Sequence, residues 1–197
     1  MKARSALAIL ALLAPLAALG AGARLTEGNP ASTVRVLIFE DLQCPDCAAF
    51  HAQLKEKLLP KYGATVAFEH YDFPLNKHVW ARKAAMAARF FERMGPQLAL
   101  KYRDETMAAQ QQITMDNFEE RLIAFAKANG VDAKQAVAAL NEPELTALVE
   151  KDVQDGVARG VIHTPTAFVS GTPFVEAIAF EEISKAIDAA LKEAGKQ

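Results

Sequence analysis

Val34-Arg35-Val36-Leu37-Ile38-Phe39-Glu40-Asp41-Leu42-Gln43-Cys44-Pro45-Asp46-Cys47 is the stretch on which the reading of this chain turns. Residues 34–39 are rich in β-branched and apolar residues on both parities, the pattern of a strand covered on both faces. From Pro45 to Tyr62 the apolar Ala48, Ala49, Leu54, Leu58 and Leu59 recur among polar residues, and the run stops at Gly63. This spacing predicts a helix with glycine at its C-terminal end. Cys44 therefore stands where a central strand hands over to a helix, among unpaired backbone N–H groups and at the positive end of the helix dipole.

Both influences favour thiolate over thiol. Helix N-termini and Cys-x-x-Cys motifs lower thiol pKa values from about 8.5 to between about 3.5 and 7.5. The i, i+3 spacing sets both sulfurs on one face of the first turn, so Cys47 can attack a mixed disulfide held at Cys44. Cys44 is expected to be the exposed nucleophile and Cys47 the more buried resolving thiol. Pro45 fixes φ at a first-turn position where its missing N–H costs nothing. Asp46 brings a carboxylate that opposes the Cys44 thiolate while favouring the helix.

Working outward, residues 64–73 return to strand character with Val66, Phe68 and Tyr71. Strand, helix and strand make a βαβ unit with parallel strands and a right-handed crossover. Ahead of it, residues 24–32 read as a short exposed leader. Residues 78–159 are helical in composition, punctuated at Gly95-Pro96, Asn129-Gly130, Asn141-Glu142-Pro143 and Gly156, and four or five helices fit. Thr114 and Asp116 precede Phe118, Leu122, Ile123 and Phe125 as caps of an amphipathic helix, and Pro143 suits a first helical turn. Thr166-Ala167-Phe168-Val169, Ser170-Gly171 and Pro173-Phe174-Val175 form a hairpin pattern with glycine in the loop. A last helix runs from Phe180 to about Lys192, with Ile183, Ile187 and Leu191 at spacing four. The chain is an α/β protein in three parts: βαβ over 24–77, a helical block over 78–159 and ββα over 160–197.

The 197 residues, 51% hydrophobic and 23% charged, suffice for one globular domain with a real core. Met1-Lys2-Ala3-Arg4 followed by the Ala/Leu/Ile run of residues 5–20 reads as a secretory signal peptide over 1–23. Cleavage is expected after Ala23, with Gly20 as the second candidate. The alternative is an uncleaved anchor, but the run is broken by Pro15 and falls short of the ~20 apolar residues that span a bilayer. Losing Lys2 and Arg4 lowers Lys+Arg from 22 to 20 against 24 Asp+Glu, so the net charge moves from -2 to -4. That balance excludes nucleic acid as a partner and suits a soluble mature protein.

Export places the cysteines in an oxidising compartment. There are two, and closing the short loop between them removes little chain entropy, so the pair is a poor staple. A structural zinc site wants four ligands in paired spacings, whereas His51, His70, His78 and His163 are scattered; no metal is expected. The remaining role is a redox-active dithiol/disulfide that needs no further cofactor. A binding module or chaperone with vestigial cysteines is the competing class.

Three blocks resemble the thiol:disulfide oxidoreductases similar to bacterial DsbA: Phe39 to Cys47, Asp72-Phe73-Pro74-Leu75-Asn76-Lys77-His78, and Gly160-Val161-Ile162-His163-Thr164-Pro165-Thr166-Ala167-Phe168-Val169-Ser170-Gly171. The resemblance spans nearly all of the chain after residue 23. It implies a thioredoxin fold with a helical insertion between the βαβ and ββα halves, and a cis Pro165 beside the redox pair. It also implies that Thr164 exposes backbone to pair with a substrate segment, with its hydroxyl near the Cys44 sulfur. Asp41 falls in the family's acidic position, ahead of Glu40 as the carboxylate that helps move the Cys47 proton. His163 stands where such proteins commonly carry glycine and is a candidate partner for the thiolate. His78 is expected to open the first inserted helix. Pro45-Asp46 replaces the Pro-His of the strongest oxidants.

The partners so implied are unfolded or reduced exported proteins and a quinone-linked membrane oxidase of the DsbB or VKOR type. The opposite direction of exchange would instead use a DsbD-like electron donor. The chain has no long N-terminal dimerisation region, which points to a monomer.

Overall fold

The computed structural model describes residues 24–196, and the expected signal peptide lies outside them. A five-stranded sheet has the order β1-β3-β2-β4-β5. Its central strand β2 (Arg35–Glu40) pairs in parallel with β3 (Ala67–Asp72) and antiparallel with β4 (Thr166–Val169), which continues to β5 (Thr172–Val175). The β4–β5 turn places Ser170 at φ 48° and Gly171 at φ 83°, the left-handed pair that matches strand twist in a two-residue hairpin. The expected leader is in part an edge strand, β1 (Thr26–Gly28), antiparallel to β3. Its residues, Thr, Glu and Gly, carry no strand pattern. The segment is held by register with β3 and by burial of Leu25 and Glu27.

Strand parity sorts the two faces. Val36 and Ile38 of β2, Phe68 of β3, and Ala167 and Val169 of β4 pack with Phe50, Leu54 and Leu58, and with Ile183 and Ile187 of the last helix, α8 (Phe180–Ala194). Phe39 instead meets Phe73, Val161 and Phe168 on the opposite face. The first helix runs as α1 (Pro45–Gln53), a π turn (Leu54–Leu58) and α2 (Leu59–Tyr62). Pro60 has no N–H for the ladder and its ring crowds the carbonyl four residues back. The π turn, in which the Leu59 N–H reaches Leu54 O, gives the extra room. Gly63 ends this helix with φ -58°, so the end is helical geometry rather than a left-handed cap.

Between β3 and β4 lie five α-helices: α3 (Ala81–Glu92), α4 (Pro96–Ala108), α5 (Phe118–Ala128), α6 (Ala133–Ala139) and α7 (Pro143–Ala158). Trp80, Phe91, Tyr102, Phe118, Phe125, Leu145 and Val149 form their common core. Two local expectations change. Asn117, not Thr114 or Asp116, is the N-cap of α5, and Thr114 and Asn117 bond each other across the turn before it. Gly156 does not punctuate: it lies inside α7, where a Cβ would sit 2.6 Å from the Phe73 ring, so the glycine permits helix and sheet to touch. Among the described residues no helix is long and apolar enough to cross a membrane.

Toward the C-terminal ends of β2 and β3 the apolar face becomes ionic. Glu40, His70 and Asp72 continue the parity of Ile38 and Phe68, and the insertion answers them with arginines. Arg103 of α4, fully buried, donates to Glu40 at 3.0 Å and to Asp72. Arg89 of α3 bridges Asp72 at 2.6 Å to Asp152 of α7, which also takes Arg24 at 2.6 Å. Removing one member of such a pair strands a buried charge. Arg103→Ala is expected to lower the unfolding free energy by about 3–5 kcal/mol. Arg82→Ala, at the exposed pair with Glu150, should change it by less than about 0.5 kcal/mol. Urea unfolding midpoints of the two variants measure the contrast.

Candidate active site

Cys44 is the N-cap of α1, with extended φ/ψ of -81° and 123°, and Pro45 occupies the first helical position. That is the location from which a side-chain acceptor faces the N–H groups of Asp46 and Cys47. Both cysteines are free thiols. Cys44 is 6% exposed and Cys47 1%, so the order of exposure is as expected, but Cys44 is buried rather than open. It lies under the Thr164 segment, where its thiol donates to Thr164 O at 3.1 Å. Both sulfurs belong to the core of the helical insertion rather than to the core between sheet and α8.

The Cys44 pKa is lowered to about 6. The foremost cause is a hydrogen bond from the Cys47 thiol; burial opposes it, and the Thr164 side chain and the backbone N–H groups of Cys47 and Asp46 add to it. The amides at the helix start thus contribute, but the partner sulfur contributes more. Thr164 Oγ1 is buried without a hydrogen-bond partner, which leaves its hydroxyl free to donate to a Cys44 thiolate. Burial pushes the Cys47 thiol well up, and hydrogen bonding and charge from Cys44 reinforce it. Two chemically identical groups are therefore split into one that ionises readily and one that does not.

The turn carrying them is clamped by side chains from both directions. Asp41 accepts from Gln43 N, Leu75 N and His78 Nδ1, each at 2.7 Å. Gln43 Oε1 accepts from Trp80 N and Ala81 N at the start of α3. Gln110 Nε2 donates to the carbonyls of Leu42 and Cys44. Asp41 was the expected proton carrier for Cys47, yet its carboxylate is committed to this clamp. It is the Asp41 backbone N–H that reaches Cys47 Sγ, at 3.3 Å. His78 lies ahead of α3, whose N-cap is Trp80, and serves the clamp instead.

His163 does not join the thiolate: its Nδ1 pairs with Glu176 at 3.2 Å, with both side chains about half exposed. Asp46 is exposed, and it is its backbone N–H that acts on Cys44. Thr164 is only 3% exposed, and its carbonyl accepts from the Cys44 thiol. The Thr164–Pro165 peptide is cis, and Ile162 and His163 before it are exposed.

Sequence reasoning missed Gln43 and Gln110, whose roles depend on distant backbone. It also missed the buried His70 and Arg103, and it ranked Glu40 behind Asp41 without its buried pairing to those two cations. A signal for these was present: Glu40 and His70 keep the parity of buried strand residues, and Arg103 lies on the stripe Ala99, Tyr102, Thr106 of α4. Among the described residues no cluster of His, Cys, Asp and Glu has the makings of a metal site.

A central parallel pair flanked by antiparallel strands, with a Cys-x-x-Cys at the start of the helix after β2, defines a thioredoxin fold that carries a dithiol. The family model described as Thioredoxin matches residues 21–189, and the chain belongs to that family. Solved structures share the fold, DsbA-like proteins among them. BdbD from Bacillus subtilis superimposes with a TM-score of 0.78 at 20% identity, over 86% of this chain and 93% of that one. Wolbachia pipientis α-DsbA1 gives 0.76 at 17% identity, over 93% and 96%. A thioredoxin-like oxidoreductase from Silicibacter pomeroyi DSS-3 gives 0.72 at 22% identity, over 85% and 91%. No curated protein sequence matches the chain.

Thiolate absorbance of the reduced protein against pH is expected to show a midpoint near 6 for Cys44. Cys47→Ala removes the foremost stabiliser and should move that midpoint upward, and by more than Thr164→Val does. An equal or smaller shift in Cys47→Ala would contradict the assigned causes. A group whose folded pKa is depressed loses its stabilising contribution as pH falls through that pKa. The reduced protein should therefore lose stability relative to the oxidised form as pH falls from about 8.5 to about 6, read by paired urea unfolding curves.

Proposed function

We propose that the protein is an exported thiol:disulfide oxidase that passes a Cys44–Cys47 disulfide to reduced or unfolded exported proteins. The observation that carries this reading is the placement of the two sulfurs: Cys44 at the N-cap of α1 beside Thr164, and Cys47 one turn in and 1% exposed, an arrangement that lowers the Cys44 pKa and raises that of Cys47. A substrate thiolate attacks Cys44 in the disulfide; the S–S bond breaks, and Cys47 leaves with the electron pair and takes a proton. A second substrate thiolate then attacks the substrate sulfur of the mixed disulfide, and Cys44 leaves as thiolate. The substrate is oxidised by two electrons and the protein reduced. A leaving thiol of low pKa departs faster, and stabilising the Cys44 thiolate stabilises the reduced form, so the disulfide becomes a better oxidant.

Oxidation removes the S–H donor from the Thr164 carbonyl, which frees Thr164, beside Pro165, to pair with a substrate backbone in the state that must receive it. The disulfide itself is the only redox group required. Reoxidation falls to a quinone-linked membrane oxidase of the DsbB or VKOR type. After loss of residues 1–23 the protein works in the periplasm or an equivalent extracytoplasmic space as a soluble monomer.

A second reading, reductase or isomerase fed by a DsbD-like donor, is favoured by one feature. A Cys44 value of about 6 lies nearer the ~7 of thioredoxin than the ~3.5 of DsbA. Equilibration with glutathione buffers is expected to give a potential between the roughly -270 mV of thioredoxin and the roughly -120 mV of DsbA. The oxidised protein should restore disulfides to a reduced, unfolded ribonuclease, and Cys44→Ser should abolish this. A potential at or below about -270 mV would transfer the assignment to the reductase reading. Full activity of Cys44→Ser would remove both.

A further inference from the structure

The hydrogen bonds by which the helical insertion holds the redox turn have no part in the exchange steps above, and Gln110 supplies two of them. It opens a 3₁₀ turn, Gln110–Gln112, that follows α4, and it is buried. That turn is itself held from the next helix: Asn117 Nδ2, at the N-cap of α5, donates to Gln112 O at 2.9 Å, and the Arg121 guanidinium donates to Gln112 Oε1 at 3.2 Å. From this place Gln110 Nε2 donates to Leu42 O at 2.9 Å and to Cys44 O at 3.0 Å. A primary amide has two N–H groups and a carbonyl can only accept, so both hydrogens are committed and the partners fix which way the amide faces.

Leu42 O has no other hydrogen bond among the described residues. Cys44 O takes a second one from Ala48 N at 3.1 Å, the first bond of the α1 ladder. Gln110 thus ties the loop leaving β2 to the entrance of α1 from a point 66 to 68 residues along the chain. Gln43, between the two carbonyls, is tied to a different helix, with its Oε1 accepting from Trp80 N at 2.8 Å and from Ala81 N at 3.1 Å. Three successive residues of the turn, Leu42, Gln43 and Cys44, are therefore held by the insertion.

The consequence falls on the sulfur. Cys44 is the N-cap, with φ -81° and ψ 123°, and its ψ decides both where its carbonyl points and how the following peptides are aimed at its side chain. A cap acts through hydrogen bonds, which weaken steeply with misalignment. Ala48 holds the Cys44 carbonyl from within the helix, and Gln110 holds it from outside. We propose that Gln110 is a positioning residue for the exchange reaction: by fixing the carbonyls on either side of Gln43 it keeps the first-turn N–H groups of α1 aimed at the Cys44 sulfur, and so makes the ease with which that sulfur leaves depend on the helical insertion. This deepens the oxidase reading and rests on its thiolate chemistry. The N–H groups of Cys47 and Asp46 do favour the Cys44 thiolate, and it is their aim that Gln110 secures, through the backbone and not by contact with the sulfur.

The test reads the thiolate absorbance of the reduced full chain against pH, together with its equilibrium in glutathione buffers at pH 7. Gln110→Met keeps an unbranched side chain of similar length and removes both donors. The Cys44 midpoint, about 6 in the parent, is expected to rise by about one unit, and the equilibrium to shift about fivefold toward the disulfide. Gln110→Asn keeps the amide but is one methylene short of holding both carbonyls. It should move both readouts in the same direction by less, and it serves where Gln110→Met does not fold. Tyr62→Phe is the control for lost stability alone. It removes a hydroxyl bonded to Ser184 O at 3.2 Å and to Asp188 at 2.8 Å in the core between sheet and α8, and it should leave the midpoint and the equilibrium at the parent's values. An unmoved Cys44 midpoint in the folded Gln110 variants overturns the proposal, as does an equal rise in Tyr62→Phe. A parent protein whose thiolate appears only near about 8.5 would remove the activated-thiol reading itself, and the proposal with it.

Discussion

Arg103 is the residue on which the two halves of this molecule depend. It is a buried guanidinium that meets the carboxylates at the ends of both parallel strands, Glu40 of β2 and Asp72 of β3. An arginine cannot shed its charge at any ordinary pH, so its burial obliges two acids to be buried with it. Those acids in turn draw in His70 and Arg89, and through them Glu27, Asp152 and Arg24. The helical insertion is therefore joined to the sheet by a charge-balanced seam in addition to apolar packing. Cys44 and Cys47 lie on the insertion's side of that joint. What surrounds the sulfurs is as much a product of the inserted helices as of the sheet that carries the motif.

The cysteine pair itself is governed by nearness. A thiol one helical turn away is a better stabiliser of an anion than the dispersed partial charge of amides, because it places one directed donor on the sulfur. The same contact adds to the burial that raises the donor's own pKa, so one hydrogen bond feeds both halves of the asymmetry. Thr164 completes the enclosure from the far side of the chain. Its carbonyl accepts a hydrogen bond while Cys44 is a thiol, and its hydroxyl can donate one once that proton has gone.

Much of this was legible in the sequence, and the reason is local. The strand at 34–39, the helix from Pro45, the hairpin around Ser170-Gly171 and the amphipathic α8 are each encoded by a period or a turn residue within a short window. The site was legible to the same extent: Cys44, Cys47 and Pro165 belong to compact motifs. What escaped is non-local. β1 is strand only because β3 is beside it. Asp41 looked available until Leu75 and His78 arrived from the next loop, and His163 looked close to sulfur until Glu176 of the hairpin claimed it. Gly156 resembled a helix end because glycine is usually costly inside one, and only the aromatic wall of Phe73 and Phe39 explains its place.

That glycine has a reach beyond its own contact. It lies one helical turn after Asp152, the acid through which α7 engages Arg89 and Arg24. With no side chain at 156 the helix axis comes close to the sheet, and a short aspartate suffices to enter the seam. A methyl group there would act as a spacer: it would push α7 outward and draw Asp152 from its arginines, exchanging a steric change on one face for an electrostatic one a turn away. The thinnest residue of the helix thus sets the gauge at which its charges can mesh with the rest of the protein.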